Sequence, residues 1–317
     1  MKTNLVKTLF GTALATTCAC AMALPVQAGT LWNYSWDSFK DGSGTLNQNG
    51  GTGGHGVGVK SNFEMFGMAY VEDLVNDTVT FAFNSNIHLD GWKHNNVQNG
   101  TIAWGDLFLN LNPDKTFEQV KGTSDLLAIR FSSKNDSGVA GGETGIFSGV
   151  TTKNVTQVNQ GYSSYTQFNN YVNSKGGTVE LIDGMTLAES QAYLGTHGHS
   201  VINTYQEKVG NITLLDVAQL SALGLDFKGQ AAQDGLGTVL GTQTFGFSFA
   251  RSLLPQGELS WIAHVLAECA NDTMGMMGTF ADNTPVEPEA VPEPASLLGL
   301  TLGAAALVGA KRRQPIT

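Results

Sequence analysis

A chain of 317 residues with 27 acidic and 17 basic side chains carries a formal charge of −10, a balance that repels nucleic acid and anionic lipid and attracts cations. Five of the basic residues, Lys2, Lys7, Lys311, Arg312 and Arg313, sit in the terminal segments. No acidic residue lies in residues 1–28 or 295–317, so the stretch between them is close to −15. Of the three cysteines only Cys269 lies outside the first 28 residues. The rest of the chain therefore can form no internal disulfide, and its stability must come from a core or a metal.

The first 28 residues read as a secretory signal peptide. Lys2 and Lys7 form a positive n-region, Leu9 to Leu24 is mainly apolar, and Val26-Gln27-Ala28 offers small residues at the cleavage positions, so the mature chain is expected to begin at Gly29. Cys18 and Cys20 raise lipid attachment as a rival, but neither has the Leu three residues earlier that attachment requires.

From Gly29 to Phe280, about 250 residues suffice for one sizeable domain. Trp32, Tyr34 and Trp36 alternate with polar residues, as a first strand should. Residues 41–58 break that pattern and read as a flexible loop. Within it Gly51-Thr52-Gly53-Gly54-His55-Gly56 matches a dinucleotide-binding spacing, but no helix pattern opens after it. Its likeness to a calcium β-roll repeat fails at His55, where that repeat needs Asp.

Strand signals follow at Phe63–Val71 and Val79–Phe83, separated by Asn76-Asp77, and then at Ile102–Leu109 and Leu126–Phe131. Three short helices are expected next. Ser163 or Ser164 caps the first, which ends at Gly176. Thr186 with Glu189 makes a capping box for the second, closed by Gly195. Thr213 opens the third, with Gly224 after it. Strand returns at Val239–Ala250 and Leu259–Glu268. Phe245, Phe247 and Phe249 share one face of the former. Short strands with frequent turn signals predict a mainly β fold: an antiparallel β-sandwich, jelly-roll-like, with about three short helices.

Residues 281–291 are rich in Pro and Glu and read as a semi-rigid linker. After them come Pro292, Glu293 and Pro294, an uncharged run from Ala295 to Ala310, and Lys311, Arg312 and Arg313. As a helix the run would be roughly 24 Å long, slightly short of a ~30 Å hydrocarbon core. The basic triplet would hold its far end on the cytoplasmic side. This order of features over residues 292–313 resembles the sorting tail of bacterial PEP-CTERM proteins. The resemblance implies export through the Sec machinery, transient anchoring by one C-terminal apolar helix, recognition by an exosortase at Pro292, Glu293 and Pro294, and a final place on the cell surface or in the extracellular matrix. A second, broader likeness rests on Gly105-Asp106-Leu107-Phe108, Arg251-Ser252-Leu253-Leu254-Pro255 and Glu268-Cys269-Ala270-Asn271-Asp272. These resemble a group of exosortase-dependent surface proteins that end in a strand followed by Glu-Cys-x-Asn-Asp, a group that brings no activity with it.

No enzyme signature stands out: no Gly-x-Ser-x-Gly elbow, Walker loop or His-Glu-x-x-His. His197-Gly198-His199 lacks a neighbouring acidic ligand. His264 and Glu268 would be neighbours on a helix, but the segment reads as strand, where they stand about 13 Å apart. Cys269 reads as a small buried hydrophobe. The metal candidates are Asp106, Glu268 and Asp272, at strand ends beside Gly and Asn. An oxygen-rich group of this kind suits Ca²⁺, and Asn-Asp after a strand is equally ordinary turn chemistry. The sequence thus predicts a non-enzymatic structural or interaction protein of the cell surface. The alternatives are a polysaccharide-binding module, with Trp32, Trp36, Trp92 and Trp104 as stacking platforms, and a secreted hydrolase.

Overall fold

The computed structural model describes residues 31–46 and 54–284. The expected signal peptide 1–28, residues 285–291 of the expected linker and the sorting tail 292–313, with its apolar run and basic triplet, lie outside the described residues. Among the described residues no helix is long and apolar enough to cross a membrane.

Two antiparallel sheets carry the domain. Their strands are β1 (Asn33–Trp36), β2 (Met65–Asp73), β3 (Thr78–Ser85), β4 (Leu107–Asn110), β5 (Leu126–Arg130), β6 (Gly145–Ser148), β7 (Glu207–Gly210), β8 (Thr213–Leu215), β9 (Gln243–Ala250), β10 (Leu259–Leu266) and β11 (Thr273–Phe280). The first sheet has the order β1-β2-β3-β9-β8 and the second β7-β6-β5-β4-β10-β11. Five α-helices accompany them among the described residues: α1 (Phe117–Val120), α2 (Tyr165–Ser174), α3 (Leu187–Leu194), α4 (Val217–Ala222) and α5 (Phe227–Gln233).

Period-two alternation decides which side chains meet. Met68 and Tyr70 of β2, Phe81 and Phe83 of β3, and Phe245, Phe247 and Phe249 of β9 point into one core. Leu107, Leu109, Leu127, Ile129, Trp261, Ala263, Val265, Met274 and Met276 of the second sheet enter the same core. The register places Phe83 opposite Phe245, Phe81 opposite Phe247 and Val79 opposite Phe249. Each such buried aromatic contributes about 1.5–3 kcal/mol of transfer free energy.

The opposite faces are not left to water. Ala69, Val71 and Ala82 on the first sheet lie under Leu220 of α4 and Phe227 of α5. Phe108, Leu126, Ala128, Phe147, Ile262 and Leu266 on the second lie under α1, α2 and α3 through Phe117, Val120, Phe168, Val172, Tyr193 and Leu194. Central strands therefore bury both faces, which is why β4 and β5 are apolar along nearly their whole length.

The helix signals are met in part. Ser164 caps α2 by accepting from the Gln167 amide. Thr186 and Glu189 form the capping box of α3, and Gly195 closes it with φ +84°. The third expected helix starts later than its Thr213 signal. Thr213–Leu215 pairs with β9 as β8, and Asp216 caps α4 instead. Residues 41–58 are not simply a loop either: Ser43–Thr45 and His55–Val57 pair antiparallel as a small ribbon. The Ile102–Leu109 strand divides. Thr101–Ile102 pairs with Trp92–Lys93, and β4 begins at Leu107.

Candidate functional site

β1 runs beside the start of β2, with Trp36 opposite Gly67. The residue after β1, Asp37, donates its amide to the Phe66 carbonyl at 3.1 Å. Glu64, one residue before β2, is thereby placed beside the loop Asp37–Asp41. The β10–β11 hairpin brings the last partner: its final loop residue, Asp272, accepts the Met65 amide at 2.6 Å and its neighbour Thr273's amide at 2.8 Å. Asp272 thus ties the end of the second sheet to the start of β2 in the first.

Four carboxyl groups from three chain segments meet here. Asp37, Asp41, Glu64 and Asp272 are buried, the last three with no measurable exposure. Carboxylate oxygens of Asp37, Asp41 and Asp272 lie within 4.8 Å of one another. Among the described residues, both oxygens of Asp37, both of Glu64 and Oδ1 of Asp41 lack a hydrogen-bond donor in proper geometry. The Ser38 amide near Asp37 and the Gly42 amide near Glu64 pull slightly in the favourable direction without meeting that geometry. Oδ2 of Asp41 accepts the Glu180 amide at 2.9 Å. None of the ion pairs among the described residues involves this group.

Burial, followed by mutual repulsion, holds Asp37, Asp41 and Glu64 well above the usual carboxylate range. Burial pushes Asp272 up to about 8, against the pull of the Met65 and Thr273 amides. Gly42 is required by the crowding here: a Cβ at that position would fall 2.4 Å from the Glu64 Cα. Asp37 also lines a cleft of about 490 Å³, together with Lys40, Thr178, Glu180, Met185 and Leu236.

The three acidic residues singled out from sequence part company. Asp272 joins the group above. Asp106 and Glu268 belong to a second buried network built around Arg130. Asp106 accepts from Asn135 Nδ2 at 2.8 Å and from the Ile202 amide at 2.7 Å. Glu268 accepts from the amides of Ala103 and Asp136. Arg130 donates to Asn135 Oδ1 and to the carbonyls of Asn135, Ser133 and Glu143. Every oxygen of Asp106 and Glu268 has a partner, so this network holds loops to the sheet.

The other candidates fall into the framework. His264 lies on β10 with both ring nitrogens unpartnered, packed edge-on against Phe117 at 4.5 Å and tilted on Phe108 at 5.4 Å. Burial drives its pKa down to about 3, leaving it a neutral aromatic. It makes no hydrogen bond to Glu268, in keeping with the strand spacing. Cys269 is buried and free, and burial raises its thiol far above the usual range. His197 Nδ1 approaches the Ser163 carbonyl, whereas His199 Nδ1 faces Thr152 and Lys121.

The tryptophans are equally committed. Trp32 and Trp104 are buried. Trp36 stacks on Tyr34 at 6.2 Å and 12°, but both rings meet the edge of Phe227 from α5. Trp36 Nε1 donates to Asp234, and the Tyr34 hydroxyl accepts the Asp226 amide. The pair therefore anchors α5 to β1. Trp92 donates to the Asn62 carbonyl and packs against His88.

Asp37, Asp41 and Glu64 were not legible as partners of Asp272. One signal was available: Glu64 stands as a lone acid inside the aromatic run Phe63-Glu64-Met65-Phe66, at a position that the strand must bury.

The domain closes on a second charged anchor. Buried Arg251 pairs with Glu72 and donates to the carbonyls of Pro255, Gly257 and Ala281. The Ala281 amide in turn donates to Glu72 Oε2 at 2.7 Å. This clamp fixes the chain just where β11 ends and the Pro- and Glu-rich segment begins.

Downstream of that clamp, residues 290–313 match the family model of the PEP-CTERM protein-sorting motif. The chain is a β-rich domain joined to a sorting signal. It carries the PEP-CTERM motif, which implies an exosortase-dependent protein that crosses a membrane to the cell surface or beyond. Comparison with curated proteins and with solved structures gives no match.

Proposed function

We propose that this is a non-enzymatic structural or interaction protein of the cell surface or extracellular matrix. It is exported through Sec on the signal segment 1–28 and processed by an exosortase at Pro292, Glu293 and Pro294. The observation that carries the reading is the sorting motif over residues 290–313, placed a few residues beyond a domain whose last strand is clamped at Ala281. That arrangement fits a folded unit displayed on a short stalk. The architecture that suits the unit is a β-sandwich, supported by the single core to which both sheets contribute. The non-enzymatic part is supported by the way its chemistry-bearing side chains are used. Asp106, Glu268 and Arg130 hold loops, Cys269 is enclosed, and Trp36 anchors a helix.

Fractionation of cells expressing tail variants tests the reading. Neutralising Lys311, Arg312 and Arg313 removes the charges that resist translocation, and unprocessed protein should be lost from the membrane. Glu293→Gln lies outside the apolar run, so insertion should persist while processing fails. Immunoblots in which both variants behave as wild type would overturn the proposal.

A further inference from the structure

We propose that Asp37, Asp41, Glu64 and Asp272 form a buried Ca²⁺ site that locks the two sheets together at one end of the exported domain. The site goes beyond the sorting reading and does not depend on it. Three of the carboxylates already have the spacing an ion needs. Oxygens on opposite sides of a Ca²⁺ at about 2.4 Å from it are about 4.8 Å apart, and those of Asp37, Asp41 and Asp272 lie within 4.8 Å of one another.

Glu64 supplies the independent observation. It is fully buried, neither of its oxygens has a partner, and the charges of Asp272 and Asp41 act on it. An unpaired buried carboxylate is costly unless something neutralises it. Among the described residues no side-chain cation takes that role. Protons satisfy such a group in part: Asp37 and Asp272 stand close enough to share one. They leave other oxygens of Asp37, Glu64 and Asp41 unused, whereas a divalent ion draws on several carboxylates at once.

The donor set selects the metal. It is all oxygen, and no His or Cys belongs to it. Zn²⁺ prefers nitrogen and sulfur, and Mg²⁺ keeps several waters rather than entering a cage of carboxylates. Ca²⁺ accepts six to eight oxygens in irregular geometry, and extracellular modules bind it at about 10⁻⁴–10⁻³ M. The cleft against Asp37 gives the ion a way in.

The test uses the full chain, stripped with EDTA and titrated with CaCl₂ or MgCl₂ by calorimetry and thermal unfolding. One equivalent of Ca²⁺ should bind, and at a hundredfold excess over Kd the melting temperature should rise by roughly 5–10 °C. Glu64→Gln and Asp41→Asn should each weaken Ca²⁺ binding at least about tenfold, yet melt no lower than wild type in EDTA, because each removes a repelling charge. If the variants do not fold, the wild-type titration decides alone. Absence of Ca²⁺ uptake, with equal melting in Ca²⁺ and EDTA, would show that protons alone fill the site. An equal response to Mg²⁺ would overturn the choice of calcium.

Discussion

Replacing Arg251 with Met should be among the most damaging single changes in the domain. The guanidinium is fully buried, and the side chain of its partner Glu72 is 10% exposed. Its removal strands a carboxylate whose one other contact shown here is the Ala281 amide. It also leaves the carbonyls of Pro255, Gly257 and Ala281 without their donor, and takes a cation from above the Phe280 ring. Breaking a buried pair from one side costs about 3–5 kcal/mol, and in a domain of this size each kcal/mol lowers Tm by about 2–4 °C. The expected fall is therefore roughly 6–20 °C. Thermal unfolding measures that fall, and urea unfolding followed by tryptophan fluorescence measures the loss in free energy, with an unchanged m-value as the sign that only stability has moved. The double variant Arg251→Met/Glu72→Gln should recover part of the loss, because no charge is then stranded. A loss below about 1 kcal/mol would mean that the pair behaves like one on the surface, and the clamp at the start of the linker would be an incidental contact.

Two further outcomes follow from buried titratable groups. Burial lifts Glu268 to about 8 and Asp106 to about 6, with Asp136 and Asp106 repelling Glu268 and Arg130 facing both. Folded values above the unfolded ones mean that the unfolded chain ionises first. Stability in EDTA should therefore fall as pH rises from about 4 to about 8, and the penalty vanishes only below the unfolded values. Glu268→Gln should flatten the upper half of a Tm-versus-pH curve, whereas an unchanged slope would contradict the assignment. Cys269 should resist iodoacetamide in the native protein and react fully in denaturant, as read by mass; rapid native labelling would place it at the surface.

Much of the fold could be read from period and caps. Phe245, Phe247 and Phe249 alternate so regularly that their shared inward face followed directly. Ser164 and the Thr186–Glu189 box marked α2 and α3 because a cap is a local interaction. What was missed is non-local. Thr213–Leu215 has a helix-like context, yet it takes strand because β9 offers an edge to pair with. Gly145–Ser148 and Glu207–Gly210 are short and lack strong alternation, and they are strands only through each other and β5. The candidate metal site failed for the same reason. Asp272 was visible as an acid at a strand end. Its partners Asp37, Asp41 and Glu64 lie more than two hundred positions earlier in the chain, and non-local contacts such as the β1–β2 pairing, the Asp272–Met65 bond and the Ser43–Asn271 bond bring them together.

The measurement that bears most directly on the account is terminal mass spectrometry of the protein recovered from the cell-surface fraction. The account predicts a mature N-terminus near Gly29 and a C-terminus near Pro292, Glu293 and Pro294, with the apolar run and the basic triplet gone. Recovery of the intact chain, Met1 to Thr317, from the cytosol would contradict it.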